Sequence, residues 1–260
     1  MSRLNFGDLF DAVARAIPQQ PAIVHGDVVL SWRELDERSN RLARQLQALG
    51  LQPGSKVAFY LRNSPAYIEL HAACFKARLV HVNVNYRYVD SELRYIFENS
   101  DAEAIVYDPE FRGHISALRA QLPNVRAYIE TGTDVVAADV LSFEALCATG
   151  GASPLTVARS ADDLYFMYTG GTTGVPKAVM WPHGNRIEVI GMADAENADA
   201  HAAAVAAAPS RPIVLPACPM MHSTGFTSSL SALVNGGCVV LLPSPRFDAA
   251  ECLQVIDRWR

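Results

Sequence analysis

Apolar positions along the chain switch between helical and strand spacing, and the switches mark out most of the elements. Phe6, Leu9, Phe10, Val13 and Ile17 recur at helical intervals, predicting a first helix capped by Asn5 and ended before Pro18. Ala22 to Leu30 reads as a short hairpin turning at His25, Gly26 and Asp27. Ser31 then caps a helix whose Leu35, Leu42, Leu46 and Leu49 face inward before Gly50. From Pro53 the spacing alternates regularly. It predicts strand Lys56 to Leu61, helix Pro65 to Arg78, strand Val80 to Val84, helix Val89 to Asn99, strand Ala104 to Tyr107, helix Pro109 to Leu122 and strand Val125 to Glu130. Such alternation predicts an α/β fold of mostly parallel sheets flanked by helices in αβα layers.

Thr131 to Ser160 reads as a connecting region, broken by Gly132, Gly150, Gly151 and Pro154 around one short helix near Phe143 to Cys147. Beyond it come an apolar strand, Leu164 to Tyr168, a glycine-rich loop and a β-favouring run, Ala178 to Trp181. A helix capped by Asn185, an alanine-rich helix over Ala198 to Ala208, strand Ile213 to Ala217, a helix after Thr224 and strand Cys238 to Leu242 follow. A final amphipathic helix starts at Asp248, with Leu253, Ile256 and Trp259 on one face and Phe247 just ahead of it. This organisation suggests a first α/β subdomain over 1–160 and the start of a second over 161–260.

The loop carries the most specific chemistry. Tyr168 to Lys177 reads YTGGTTGVPK, with three glycines and three threonines just ahead of a lysine. Gly170, Gly171 and Gly174 let the backbone approach a ligand closely, Thr169, Thr172 and Thr173 add hydroxyls, and Lys177 adds a point charge. A phosphate group is the ligand this combination suits. A Walker loop is excluded, because it needs glycine before the lysine and serine or threonine after it, whereas Pro176 and Ala178 stand there. A dinucleotide fingerprint is excluded because a strand, not a helix, is expected after the glycines.

The segment resembles the phosphate-binding motif of the AMP-forming adenylating enzymes, which include acyl-CoA synthetases, luciferases and peptide-synthetase adenylation domains. Its usual form is TSGTTGxPKG, and this chain departs at Gly170 and Ala178. The resemblance extends to LSWRELDERSNRLARQLQALGLQPGSKVAFYLRNSP from Leu30 to Pro65, to VNVNYRYVDSELRYIFENSDAEAIVYD from Val82 to Asp108, and to PMMHSTG from Pro219 to Gly225. Arg78 and His81 stand where the family carries glycine and proline. The closest likeness is to actinobacterial fatty-acid and sterol-acid CoA ligases.

What the resemblance implies is an N-terminal portion of such an enzyme, lacking the later adenine-, ribose- and magnesium-binding segments and the small C-terminal domain. Its reaction would join a fatty or similarly hydrophobic carboxylic acid to ATP, giving acyl-AMP and pyrophosphate, and then to coenzyme A, giving a thioester. Thr169, Gly170, Gly171, Thr172, Thr173, Gly174 and Lys177 would hold the nucleotide phosphates, with Thr169 also meeting Mg2+. His222 would lie between nucleotide and acid, with Thr224 and Gly225 beside the substrate, so Lys177 and His222 are the catalytic expectations. The 260 residues alone are expected to be inactive. An acyl-AMP ligase serving a carrier protein, and an inactive nucleotide- or lipid-binding fragment or half of a split protein, stand as alternatives.

Bulk properties narrow the partners. Half of the residues are hydrophobic, enough for a buried core, and the net charge of −5 offers no basic field for nucleic acid. The five cysteines are scattered without a C-x-x-C pair, which suggests neither a disulfide framework nor a zinc site. No apolar signal core or membrane-length apolar run occurs, so a cytoplasmic location is expected, with peripheral membrane contact left open. A half-built sheet would expose apolar surface, so self-association or a complementing C-terminal chain is also expected.

Overall fold

The computed structural model describes residues 4–132, 134, 137–170 and 175–259. Helix α1 (Phe6–Ala16) starts at Asn5, whose side chain accepts the Gly7 N–H at 2.7 Å. A hairpin follows, β1 (Pro21–His25) and β2 (Val28–Ser31), and Ser31 opens α2 (Trp32–Ala48) through a reciprocal capping box with Glu34. The alternating part comprises β3 (Lys56–Tyr60), α3 (Pro65–Lys76), β4 (Val80–Asn83), α4 (Asp90–Asn99), β5 (Ala102–Tyr107), α5 (Arg112–Leu118) and β6 (Ala127–Glu130). A two-residue strand β7 (Leu141–Ser142) and α6 (Phe143–Ala148) close this half. The remainder is β8 (Leu164–Thr169), β9 (Lys177–Pro182), α7 (His183–Val189), α8 (Ala198–Ala207), β10 (Ile213–Val214), α9 (Ser223–Val234), β11 (Cys238–Leu241) and α10 (Ala249–Trp259).

Two sheets result. The larger has the order β7-β6-β5-β3-β4-β8-β9, parallel throughout except for the antiparallel β8–β9 hairpin at its edge. The smaller, β10-β11-β1-β2, takes its outer hairpin from the N-terminus. Each sheet therefore draws strands from both sides of residue 160. Residues 57–60 and all of β4 are buried on both faces, as parallel strands between helix layers are.

Helix α3 is the central packing element, with Ala66 to Lys76 all buried. Its last residue, Lys76, is enclosed yet paired: Nζ lies 2.5 Å from Asp36 Oδ1, 3.0 Å from Asn40 Oδ1 and 3.3 Å from Asp11 Oδ1. Arg159 extends the network to Asp8 and Asp11 at 2.8 Å. A buried charge this well compensated pins α1, α2 and α3 in one arrangement.

Arg78, where a glycine is the family's habit, lies in the left-handed region at φ 60° just past the end of α3. Its guanidinium pairs bidentately with Asp163, which also accepts hydrogen bonds from the Asn5 side chain and the Ser160 N–H. His81 is fully buried in an aromatic and imidazole cluster with Phe59, Tyr67, His71 and Phe226. His183 occupies a neighbouring position among Phe6, Phe75 and Tyr165.

Two local expectations are corrected. Helix α7 begins at His183 after Pro182, so Asn185 lies inside it and does not cap it. Strand β10 stops at Val214 rather than running to Ala217, because Pro216 has no N–H to give the ladder. On the solvent side, α10 has no fully buried residue and leaves Leu253 and Ile256 exposed, as is Phe247 just ahead of it.

Candidate functional site

The β8–β9 hairpin presents the glycine loop. In its register Tyr168 pairs with Ala178 and Thr169 with Lys177, so the last strand residue and the lysine face each other across the loop's mouth. Both Thr169 and Lys177 are exposed. Gly170 is exposed too, and a Cβ added there would meet nothing within 4 Å among the described residues. Gly171, Thr172, Thr173 and Gly174 lie outside the described residues. Helix α4 props the hairpin from below: Tyr95 Oη donates to the Pro176 carbonyl at 3.1 Å and Tyr168 Oη donates to Asn99 Oδ1 at 2.8 Å. Burial pushes the Tyr168 phenol up to about 12, which keeps it a donor at neutral pH.

Because β8 runs parallel to β4, the hairpin emerges at the carboxyl edge of the sheet, where open α/β folds place their ligands. The PMMHSTG segment comes to the same edge. His222 has extended backbone at the N-cap of α9, its ring is exposed, and its carbonyl receives the Phe226 N–H at 3.0 Å. Thr224 is exposed in the first turn of α9. Gly225 is buried, and a Cβ there would sit 2.7 Å from the Pro219 carbonyl oxygen and 2.8 Å from that of Cys218. Its role in the fold is close approach: the first turn of α9 rides directly on the backbone that precedes it. Met220 and Met221 are both buried.

Two asparagines not singled out from the sequence organise this edge. Asn83, at the end of β4, accepts the Tyr168 N–H at 2.5 Å and donates to the carbonyls of Tyr168 at 3.2 Å and Met221 at 2.6 Å. Asn63, after β3, accepts the Met220 N–H at 2.7 Å and donates to the carbonyls of Cys218 at 3.1 Å and Pro216 at 3.3 Å. The available signal was position: each follows a strand that ends at the ligand-binding edge, in the N-x-P and VNVN stretches.

Beside them a cleft of about 490 Å³ opens between the two sheets, with Arg62, Arg87 and Arg246 on its walls and Tyr86 and Phe247 among its aromatic lining. Arg62 is held by Glu110 and by the Pro245 carbonyl, and its guanidinium lies 4.5 Å from the centre of the Tyr86 ring. For a metal, Thr169 supplies a single neutral oxygen. Among the described residues no group of three or more His, Cys, Asp or Glu is placed to hold an ion. One protein oxygen is little for Mg2+, whose other oxygen ligands would have to come from the triphosphate and water.

A glycine-rich loop between β8 and β9 at the carboxyl edge of an αβα sheet, with Thr169 opposite Lys177, is the centre of the candidate site. The chain belongs to the AMP-binding enzyme family, whose model matches residues 10–260. It is 35% identical over 264 residues to a 3-oxocholest-4-en-26-oate–CoA ligase of Rhodococcus rhodochrous, covering 98% of this chain and 47% of the relative. It is 32% identical to the medium-chain acyl-CoA ligase Mig of Mycobacterium avium, covering 95% of this chain and 49% of that one. Among solved structures, the inhibitor-bound N-terminal domain of FACL13 from Mycobacterium tuberculosis superposes with a TM-score of 0.77 at 26% identity, covering 98% of this chain and 60% of that domain. The chain thus spans about half the length of the relatives it matches. No helix among the described residues is long and apolar enough to cross a membrane.

Proposed function

We propose that this chain carries the phosphate clamp and part of the acid site of an AMP-forming acyl-CoA ligase acting on fatty, sterol-derived or similarly hydrophobic carboxylic acids. The observation that carries the reading is the hairpin: Thr169 and Lys177 face each other at the sheet's carboxyl edge, and His222 rises from the same edge. A carboxylate oxygen would attack the α-phosphorus of ATP, forming the acyl–phosphate bond as the bond to pyrophosphate breaks. Negative charge then grows on the leaving β- and γ-phosphates. Lys177 offsets that charge, and the Thr169 hydroxyl donates to a phosphate oxygen. The other loop residues, Gly170 to Gly174, supply backbone N–H groups for the same purpose. His222, with Thr224 and Gly225 beside it, would orient the acid. Magnesium accompanies the triphosphate in this reading, with Thr169 as one contact.

Coenzyme A would accept the acyl group as a thioester with release of AMP. The cleft of Arg62, Arg87 and Arg246 suits an acceptor that carries phosphates. The division at residue 160 enters this proposal only as a division along the sequence, since each sheet takes strands from both sides of it, and a cytoplasmic setting is proposed as well. Relatives twice as long, and the exposed Leu253 and Ile256 on α10 with Phe247 just ahead of it, support activity that needs further polypeptide to cover that face.

The test is pyrophosphate release from ATP against a panel of fatty, aromatic and sterol-derived acids, with and without the C-terminal half carried by the relatives. Acid-dependent release that Lys177→Ala abolishes supports the reading, and subsequent thioester formation with free coenzyme A separates it from a carrier-protein ligase. Release unaffected by Lys177→Ala would refute the clamp.

A further inference from the structure

We propose that Asn83 is a positioning residue that locks the glycine-loop hairpin to the His222 segment, so that the two sides of the site keep one fixed spacing. The residue is 4% exposed, and three of the four hydrogen-bonding positions of its carboxamide are used. Its oxygen takes the Tyr168 N–H, and its two amide hydrogens go to the carbonyls of Tyr168 and Met221. Tyr168 immediately precedes Thr169, and Met221 immediately precedes His222. The β4–β8 ladder has its one registered pair at Val82 and Phe166, so beyond that point a side chain takes over as the rung.

This arrangement differs from ordinary strand pairing in one respect. A backbone rung would join β4 to β8 only, whereas a carboxamide has a second N–H that reaches a third segment. Asn63 performs the parallel task one strand away, on Pro216, Cys218 and Met220, with no hydrogen bond to the hairpin among the described residues. Asn83 therefore hydrogen-bonds the hairpin to the histidine-bearing loop, beside the Tyr165–Phe226 ring contact at 5.1 Å, while the hydrogen bonds of Asn63 fix the loop. Correct distance between a phosphate clamp and an acid-orienting group is what an adenylation step requires, since a small misplacement of reacting groups costs rate steeply. That consequence rests on the adenylating reading, but the latch itself does not.

The test is therefore ligand-free: amide hydrogen exchange and the NMR signals of the His222 backbone and ring in the isotopically labelled chain. Asn83→Leu removes all three bonds, and Tyr168 amide exchange should quicken at least tenfold while the His222 signals shift. Asn83→Asp keeps the acceptor for Tyr168 but has no N–H for Met221, so Tyr168 should stay protected while His222 still shifts. Asn63→Leu should release the Met220 amide and leave Tyr168 protected. The β5 amides of Ile105 and Val106 serve as the reference for intact fold, and if Asn83→Leu does not fold, Asn83→Asp decides alone. His222 signals unchanged in Asn83→Asp would overturn the proposal, showing that Asn63 suffices to hold the loop. A pyrophosphate assay that stays silent even with the relatives' C-terminal half supplied, alongside the expected NMR pattern, would remove the functional reading and leave the latch standing.

Discussion

Lowering the pH should unfold this protein through its buried histidines, and the size of the effect follows from where they sit. His71, His81 and His183 are each enclosed. Burial holds His71 and His183 down at about 3, and drives His81 well below its ordinary value with help from the neighbouring His71. In the unfolded chain a histidine titrates near 6.5, so between 6.5 and 3 the unfolded state binds more protons than the folded one. Stability is therefore fully present above about pH 6.5 and is lost as pH falls toward 3. At pH 5 each such histidine removes roughly 1.5 units times 1.36 kcal/mol, about 2 kcal/mol. His71 and His183 together remove about 4 kcal/mol, a large part of the 5–15 kcal/mol typical of a domain, and His81 adds in the same direction. Glu69 and Asp108, whose carboxyls burial pushes up, act oppositely, so a difference measurement is needed. Urea unfolding of the protein and of His71→Leu at pH 7.5 and 5.0 supplies it. The variant should lose about 2 kcal/mol less on acidification than the unsubstituted chain. Equal losses would refute the reasoning, because they would mean that His71 is protonated in the fold or exchanges freely with solvent.

Other substitutions test the site's framework. Gly225→Ala, which at an ordinary helix position would stabilise, should destabilise by about 1–3 kcal/mol in urea unfolding because its Cβ would press on the Pro219 and Cys218 carbonyls. Arg78→Gly relieves a left-handed residue, worth about 1 kcal/mol, but gives up the ion pair with Asp163, so its thermal midpoint should move little. Asp163→Ala should cost more, about 2–3 kcal/mol, since it also strands Asn5 and the Ser160 N–H. Gly170→Ser, restoring the family's commoner residue into open space, should leave stability within about 0.5 kcal/mol, as read by the same unfolding curves.

Helices that announce themselves locally were readable from the residues alone. Asn5 and Ser31 cap α1 and α2 as their side-chain chemistry suggests, and alanine propensity marks α8, which Asn197 caps. Alternation of short strands and helices gave the αβα class for the same reason, because parallel strands need crossover helices. Strand order was a different matter. The pairing of β1 with β11 joins residues near 23 to residues near 239, and no local pattern encodes so distant a contact. The α7 boundary failed because two signals competed: Asn185 is a good cap residue, but Pro182 preceded it and His183 found an aromatic pocket.

At the candidate site the strand–loop–strand order was legible in the sequence, but the register that sets Lys177 opposite Thr169 was not, since both residues lie outside the apolar runs that mark the strands. Nor were the asparagine rungs, since a buried amide beside a strand end looks like any turn residue until its three partners are brought together. Likewise Gly225, read from resemblance as a neighbour of substrate, owes its identity in the structure to the backbone packed against it.

The most direct measurement is the affinity of this chain for ATP, by titration calorimetry, beside that of Lys177→Ala. Lys177 is exposed at the hairpin mouth, so its removal should leave the urea midpoint unchanged. The account predicts saturable ATP binding that the substitution weakens at least tenfold, about 1.4 kcal/mol. No binding by the unsubstituted chain, or equal affinity in the variant, would contradict the claim that this hairpin is a nucleotide-phosphate clamp.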